Sequence, residues 1–237
     1  MVRRDELLAA DAAPRSIGPA TAAVGPLRVL LLAFSLLLAG CETISYSFWE
    51  QFGYEKRDFL ISNVEAAQEA QEEAKEEFAD ALEQFSSVVT VEPSELRDVY
   101  DRLSSAFEDA EDQAEEVSER IDDVENVSDD LFREWRSELS EYDNANLRSA
   151  SERQLKTSEA KYADLIRAMR RAESRMEPVL NAFRDNVLFL KHNLNAQAIA
   201  SLKTELSSIE SNVSVLIREM EASIAESESF INDMKQA

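Results

Sequence analysis

Apolar residues recur at alternating spacings of four and three through almost all of the chain after residue 59. A repeat of 3.5 residues places apolar side chains on one stripe of a helix, and long runs of it are typical of coiled-coil packing. Four stretches carry this repeat, and their apolar positions begin at Leu60, Leu96, Leu155 and Ile199. We therefore predict four long helices, each of which buries one face against the others.

Two segments interrupt this repeat and predict connections between helices. Residues 90–94 combine β-branched residues with a proline that suits the first turn of a helix. Residues 142–146 are rich in residues that favour helix caps and turns. Pro178 falls inside the third stretch, where we expect it to kink the helix rather than end it.

A third, weaker break contains the chain's only histidine. It comprises His192, Asn193 and Asn195, and we interpret it as an inter-helix turn whose polar side chains satisfy backbone groups. His192 could instead sense pH or bind a ligand, because imidazole titrates near neutral pH. A helix that continues through this segment also fits the sequence.

The predicted fold is all-α, an elongated, up-down antiparallel four-helix coiled-coil bundle. The helices have about 45, 49, 46 and 41 residues, so each is roughly 60–75 Å long. Near-equal lengths and short connections favour neighbours that run antiparallel. If the third break does not turn the chain, the third and fourth helices form one continuous rod.

The glycine distribution supports this prediction. All four glycines lie within the first 53 residues, so residues 54–237 contain none. Sandwiches, barrels, Rossmann domains and phosphate-binding loops rely on positive φ angles, which glycine adopts most readily. The last of the four, Gly53, is expected to bend or loosen the chain just before the bundle.

The charge of the chain bears on its partners and on its packing. It carries 25 basic and 48 acidic residues, a net charge of −23, which repels nucleic acid phosphates and predicts no nucleic acid partner. Residues 147–175 differ, because they hold eight basic and four acidic residues. This basic third helix can lie beside acidic neighbours and set their register.

The sequence offers no recognisable catalytic or metal-binding constellation. A single cysteine and a single histidine exclude an intrachain disulfide and metal sites built from several such residues. No segment has the spacing of a calcium loop, a nucleotide-binding loop or a nucleophile with its base. We therefore expect no enzyme activity, no metal and no cofactor.

The first 40 residues predict a secretory signal. Residues 29–39 are an apolar run of 11 residues, too short to cross a bilayer, with Arg28 before it and small residues after it. Residues 38–41, Leu-Ala-Gly-Cys, resemble the bacterial lipobox. This resemblance implies cleavage before Cys41 and acylation of that cysteine, which anchors the mature chain in a membrane.

Two further expectations concern the ends of this signal. Glu42 follows the cysteine, whereas an aspartate there commonly retains lipoproteins of enteric type in the inner membrane. The resemblance therefore implies the periplasmic face of the outer membrane. Residues 1–23 are long and mixed in charge for the start of a signal, so we expect translation to begin near Val24.

Residues 41–59 form the lipid anchor and an aromatic segment, ahead of the helical bundle domain at 60–237. Residues 46–59 hold six of the 18 aromatic residues. One interpretation is a membrane or partner contact, and its candidate residues are Tyr46, Trp49, Phe52, Tyr54, Lys56 and Arg57. In the other interpretation, Phe48, Phe52 and Phe59 close the end of the bundle.

Five motifs together resemble a family of uncharacterised bacterial proteins, a domain of unknown function known mainly from gammaproteobacteria. The motifs are Trp49–Asp58, Ala70–Lys75, Leu131–Trp135, Met176–Leu180 and Leu188–Leu202. The resemblance covers residues 44–235, and residues 191–202, KHNLNAQAIASL, are its most specific part. It implies a helical, envelope-associated lipoprotein with no established activity.

These observations predict an outer-membrane lipoprotein that serves as a helical scaffold, spacer or adaptor for envelope proteins. The alternative is a lipid- or small-ligand-binding module, in which alanine-rich layers leave a channel between helices. Those layers are Ala67, Ala74, Ala81, Ala110 and Ala114. Homo-oligomerisation stays open at this point.

Overall fold

The computed structural model describes the backbone of residues 41–236 and the side chains of residues 56–236. This part of the chain consists of long helices. They are α1 (Cys41–Val88), α2 (Leu96–Glu138), a 3₁₀ turn (Leu139–Glu141), α3 (Ala145–His192) and α4 (Ala196–Gln236). The all-α four-helix prediction is confirmed, and α3 and α4 are separate helices rather than one rod. Residues from Trp49 onward belong to one compact unit, distinct from the unit that ends at Phe48.

Each helix packs antiparallel to the next, and α4 returns to α1. For each sequential pair of helices, the residue numbers of successive contacts increase along one helix and decrease along the other. These contacts are Gln84–Arg102 and Ala70–Gln113 for α1 and α2, Arg136–Glu159 and Glu111–Arg184 for α2 and α3, Lys161–Asp233 and Arg171–Glu219 for α3 and α4, and Glu65–Lys235 for α1 and α4. The up-down bundle therefore closes on itself.

The predicted apolar stripes form one common core. Most of their large side chains are almost wholly removed from solvent, including Phe78, Phe85, Leu103, Ile121, Leu165, Met169, Phe183, Leu216 and Met220. Phe85 of α1 meets Phe183 of α3 edge to face, with ring centroids 6.3 Å apart. Each such side chain contributes about 1.5–3 kcal/mol on burial, so the stripe is the main source of stability.

Two local features of the sequence behave differently within these helices. Asn144 caps α3 as its residue type predicts, because its Oδ1 accepts hydrogen bonds from the backbone N–H of Asn146 and of Leu147. Gly53 does not interrupt α1, so the expectation that it loosens the chain just before the bundle is wrong. One glycine costs a helix about 1 kcal/mol, too little to break a long cooperative helix.

The core also contains an unpaired polar side chain. Gln71 of α1 is fully buried between turns that carry Ala67, Ala70 and Ala74, and both of its amide atoms lack a hydrogen-bond partner. A buried polar atom left without a partner costs about 1–3 kcal/mol. Gln71 therefore lowers the stability of the bundle relative to an apolar side chain of similar volume.

We predict that Gln71→Leu raises the melting temperature by about 4–8 °C, because it removes a buried amide that has no hydrogen-bond partner. Circular dichroism at 222 nm measures the transition. Gln68→Leu is the matched control, because Gln68 lies three residues earlier on α1 and is only partly buried. Equal melting temperatures for Gln71→Leu and the wild type would show that the amide is satisfied in solution.

Candidate functional site

The connection between α3 and α4 is built by two asparagines. Asn193 donates from Nδ2 to the carbonyl of Phe189 at 2.9 Å, which satisfies a carbonyl at the end of α3. Asn195 accepts at Oδ1 from the backbone N–H of Gln197 at 3.0 Å and of Ala198 at 3.1 Å, which caps α4. Both amides therefore serve the turn. His192 is the last residue of α3 and its side chain is exposed.

Beside this turn α3 exposes two large apolar side chains. Leu188 is 50% exposed and Phe189 is 39% exposed, while Val187 and Leu190 on either side of them are buried in the core. The core-facing stripe is thus complete without Leu188 and Phe189. Neighbouring apolar residues outside the stripe of an amphipathic helix mark a surface with a role other than internal packing.

A groove of about 480 Å³ runs between α3 and α4 next to these residues. Its walls combine apolar side chains with amides and hydroxyls: Asn186, Phe189, Gln197, Ala200, Ser201, Leu202, Thr204 and Glu205. The groove is shallow and largely open to solvent, unlike an enclosed small-molecule site.

The stretch of sequence around this groove also differs from the rest of the chain in charge. No acidic residue occurs between Asp185 and Glu205, although residues 42–237 hold 45 acidic residues. Lys191 and Lys203 lie within this interval, are exposed, and form no ion pair within the described part of the chain. Neither lysine lines the groove, whereas Glu205 does, so we call Leu188, Phe189 and the groove walls the α3–α4 surface.

Most of the remaining candidates from the sequence lie at the start of α1. Cys41 is the first residue of that helix, and the signal predicted at residues 1–40 lies outside the described residues. Four candidate aromatic residues occupy its early turns, with side chains outside the described set: Tyr46, Trp49, Phe52 and Tyr54. Their proposed membrane or partner contact stays a prediction.

The last residues of the aromatic segment contact the bundle in part. Lys56 forms an ion pair with Glu134 of α2, and Arg57 is half-buried. Phe59 is 59% exposed, so it does not close the end of the bundle as one interpretation of the sequence held. Close by, burial raises the pKa of Glu138 above its ordinary value, and the charges of Glu134 and Glu141 add to this effect.

Arg170 holds α3 against α2 through a cluster of carboxylates. Its guanidinium contacts Glu125 of α2 at 2.6 Å, Asp122 of α2, and Glu173 of α3 at 2.9 Å. Hydrogen bonds to these acids raise the pKa of Arg170 above its already high value, so it is always charged. A basic residue of α3 therefore forms ion pairs with the acidic helix α2, as the charge pattern predicts.

Comparison with known proteins identifies the family. A family described as a protein of unknown function, DUF2959, matches residues 45–234. The chain belongs to the DUF2959 family. No curated protein and no solved structure matches it.

The described residues of this DUF2959 chain contain neither a cluster of metal ligands nor a membrane-spanning helix. Among them, no group of three or more histidine, cysteine, aspartate or glutamate side chains is placed to hold a metal ion. Within the same residues, no helix combines the length and the apolar character needed to cross a membrane.

The α3–α4 surface was not identified from the sequence as a site. Part of it lies in the most specific family motif, residues 191–202, for which we weighed an inter-helix turn against a role of His192 in pH sensing or ligand binding. Two signals were available: the interval of 19 residues without an acid, and the apolar pair at 188–189 outside the repeat. Neither shows by itself that a groove lies beside the pair, because that depends on α4.

We predict that Arg170→Met lowers the free energy of unfolding by about 1 kcal/mol, since it removes the ion pairs between α2 and α3. The loss is small because water partly solvates these charges. Urea unfolding measures the change. Arg133→Met is the control, because Arg133 pairs only with Asp130 on its own exposed helix face. A loss of similar size in both variants would contradict a special role for Arg170.

We also predict that Glu138→Gln raises the melting temperature at pH 7 by about 1–2 °C. Because the pKa of Glu138 is raised, the folded chain binds that proton more tightly than the unfolded chain. Stability is therefore regained as pH falls through the raised pKa, and the advantage of glutamine disappears below the ordinary value of 4.5. Melting curves between pH 4 and pH 8 measure this, with the exposed Glu152→Gln as control. An advantage that does not depend on pH would contradict the assignment.

Proposed function

We propose that this DUF2959 chain is a lipid-anchored helical scaffold or adaptor at the periplasmic face of the outer membrane. The observation that carries the proposal is the sequence Leu-Ala-Gly-Cys at residues 38–41 after an apolar run of 11 residues, which resembles a lipobox and marks Cys41, within α1, for acylation. The same helix supplies core residues of the bundle from Leu60 to Val88. The chain that follows the anchor is thus helical from its first residue.

The bundle offers partners a surface rather than a reaction centre. Its carboxylates lie mainly on exposed helix faces, and its large apolar side chains fill the core. The α3–α4 surface is the place where an exposed apolar pair lies beside a groove. This combination supports docking of an envelope protein at that end of α3.

A lipid- or small-ligand-binding module is the second candidate. The groove of about 480 Å³ between α3 and α4 supports it, because its walls combine apolar side chains with amides and hydroxyls. The alanine layers that suggested a channel lie in the buried core: Ala67, Ala74, Ala81, Ala110 and Ala114. We therefore place the proposed ligand site in the groove rather than along the bundle axis.

Two substitutions at the start of the mature chain test the anchor and its address. Cys41→Ser is expected to abolish incorporation of a palmitate analogue and to release the protein from membranes. Glu42→Asp is expected to shift the protein from the outer- to the inner-membrane fraction of a sucrose gradient. Thr43→Ala is the matched control and should leave the protein in the outer membrane.

The outcomes separate the parts of the proposal. Membrane association of Cys41→Ser equal to that of the wild type would refute lipid anchoring. An unlipidated Cys41→Ser variant in the soluble fraction, combined with an inner-membrane wild type, would keep the anchor and refute the outer-membrane address.

A further inference from the structure

The first and the last helix of the bundle meet along a contact with an unusual interior. We call it the α1–α4 seam, and it runs from the ion pair Glu65–Lys235 to the neighbouring charges of Lys75 and Glu221. We propose that the bundle opens along this seam while α2 and α3 stay packed together, so that the hairpins α1–α2 and α3–α4 separate. This inference goes beyond the proposed adaptor function and does not depend on the lipid anchor.

The stripes that face each other in the seam bury two polar groups without hydrogen bonds. Gln71 of α1 and Ser223 of α4 are both fully buried. Neither the amide of Gln71 nor the hydroxyl of Ser223 has a hydrogen-bond partner within the described chain. Burial removes their hydrogen bonds to water and supplies no replacement. Water hydrates both groups again when the seam opens, which lowers the free energy needed for opening.

Two contacts between α1 and α4 locate the segment of α4 that faces the buried amide. Glu65 pairs with Lys235 at 2.9 Å, and Lys75 is close enough to Glu221 for their charges to interact. The amide lies six residues after the first contact and four residues before the second. In an antiparallel pair it is therefore level with residues 225–229 of α4, directly after the unpaired hydroxyl.

Small side chains occupy much of this level of the seam. Three alanines of α1 and two serines of α4 are buried among larger core residues: Ala67, Ala70, Ala74, Ser223 and Ser227. The hydroxyl of Ser227 donates to the carbonyl of Ser223 at 3.0 Å, so this hydrogen bond stays within α4. Stabilisation by burial grows with the apolar area removed from water. Alanine and serine therefore hold the two helices together less strongly than leucine or phenylalanine would.

Across the bundle at the same level, charges fasten α2 to α3. Phe85 meets Phe183, and α1 runs parallel to α3, so the buried amide, 14 residues before Phe85, is level with residue 169. The next residue, Arg170, pairs with Glu125 of α2 at 2.6 Å. The contact between α2 and α3 is therefore the hinge about which we expect the seam to open.

Each hairpin also has contacts that keep its two helices together. Gln113 of α2 donates from Nε2 to the carbonyl of Ala70 and to the carboxylate of Glu73 in α1, both at 3.2 Å. In the other hairpin, Lys161 of α3 pairs with Asp233 of α4 at 2.6 Å. A short connection joins the helices of each hairpin, whereas α1 and α4 are the first and last helices of the described chain. The hairpins therefore separate as units.

Reaction of a buried thiol measures this opening. Ser223→Cys places a thiol in the seam, and Ser128→Cys places one at a fully buried position of α2. Both are made in the full chain with Cys41→Ser, so that the introduced thiol is the only one. We expect Ser223→Cys to react with 5,5′-dithiobis(2-nitrobenzoic acid) roughly tenfold faster than Ser128→Cys, because local opening exposes only the first.

Removal of the buried amide should close the seam more firmly. Gln71→Leu eliminates one unsatisfied group of the closed state, so it should slow the reaction of Ser223→Cys roughly fivefold more than that of Ser128→Cys. Gln68→Leu is the control, because Gln68 is only partly buried on the same helix. It should leave the ratio of the two rates nearly unchanged.

Two crosslinks decide which contact opens. A short bismaleimide across Glu65→Cys and Lys235→Cys ties α4 to α1, and one across Lys161→Cys and Asp233→Cys ties the same end of α4 to α3. The first crosslink should slow the reaction of Ser223→Cys roughly tenfold, and the second should leave it nearly unchanged. Equal slowing by both would show that the end of α4 detaches by itself, which would overturn the proposal.

Equal reaction rates of Ser223→Cys and Ser128→Cys would overturn the proposal as well, because global unfolding exposes both thiols. Melting temperatures show that each variant remains folded. Should Ser223→Cys fail to fold, Ser227→Cys takes its place, because Ser227 is also fully buried one turn later on α4. Every variant here lacks Cys41, so failure of the opening is distinguishable from failure of the anchor.

Discussion

Burial of one apolar stripe from each of four helices is the interaction on which the rest of this structure depends. A single long helix with such a stripe would leave large apolar side chains in water, and only the other three stripes cover them completely. Phe85 and Phe183 illustrate this, because α1 and α3 meet edge to face through residues almost 100 positions apart. The short connections then require each helix to run antiparallel to the one before it.

Charges act on this framework as determinants of register rather than as its source of stability. Exposed ion pairs add little free energy, but a cluster such as that around Arg170 is compatible with one alignment of α2 and α3. The high negative charge leaves most helix faces acidic. The interval from residue 186 to residue 204 departs from this pattern, because it contains two lysines and no acidic residue.

The interior and the α3–α4 surface depart from the simple pattern in opposite ways. Gln71 places a polar amide where the stripe calls for an apolar side chain, whereas Leu188 and Phe189 place apolar side chains where solvent is expected. The first departure lowers the stability of the bundle, because the Gln71 amide forms no hydrogen bond. The second leaves an apolar region exposed on the surface, which is compatible with the proposed adaptor function.

The sequence by itself determined the helical class, the number of helices, two clear connections and most of the core, because a 3.5-residue repeat is a local property that survives without knowledge of neighbours. It left open whether α3 and α4 were separate, and it misjudged Gly53, because both depend on a balance between local propensity and the packing of long helices. Only the tertiary structure decided that Phe59 stays exposed and that a groove lies beside Phe189. Exposure and concavity arise from the relative placement of different helices, and no spacing within one helix encodes them.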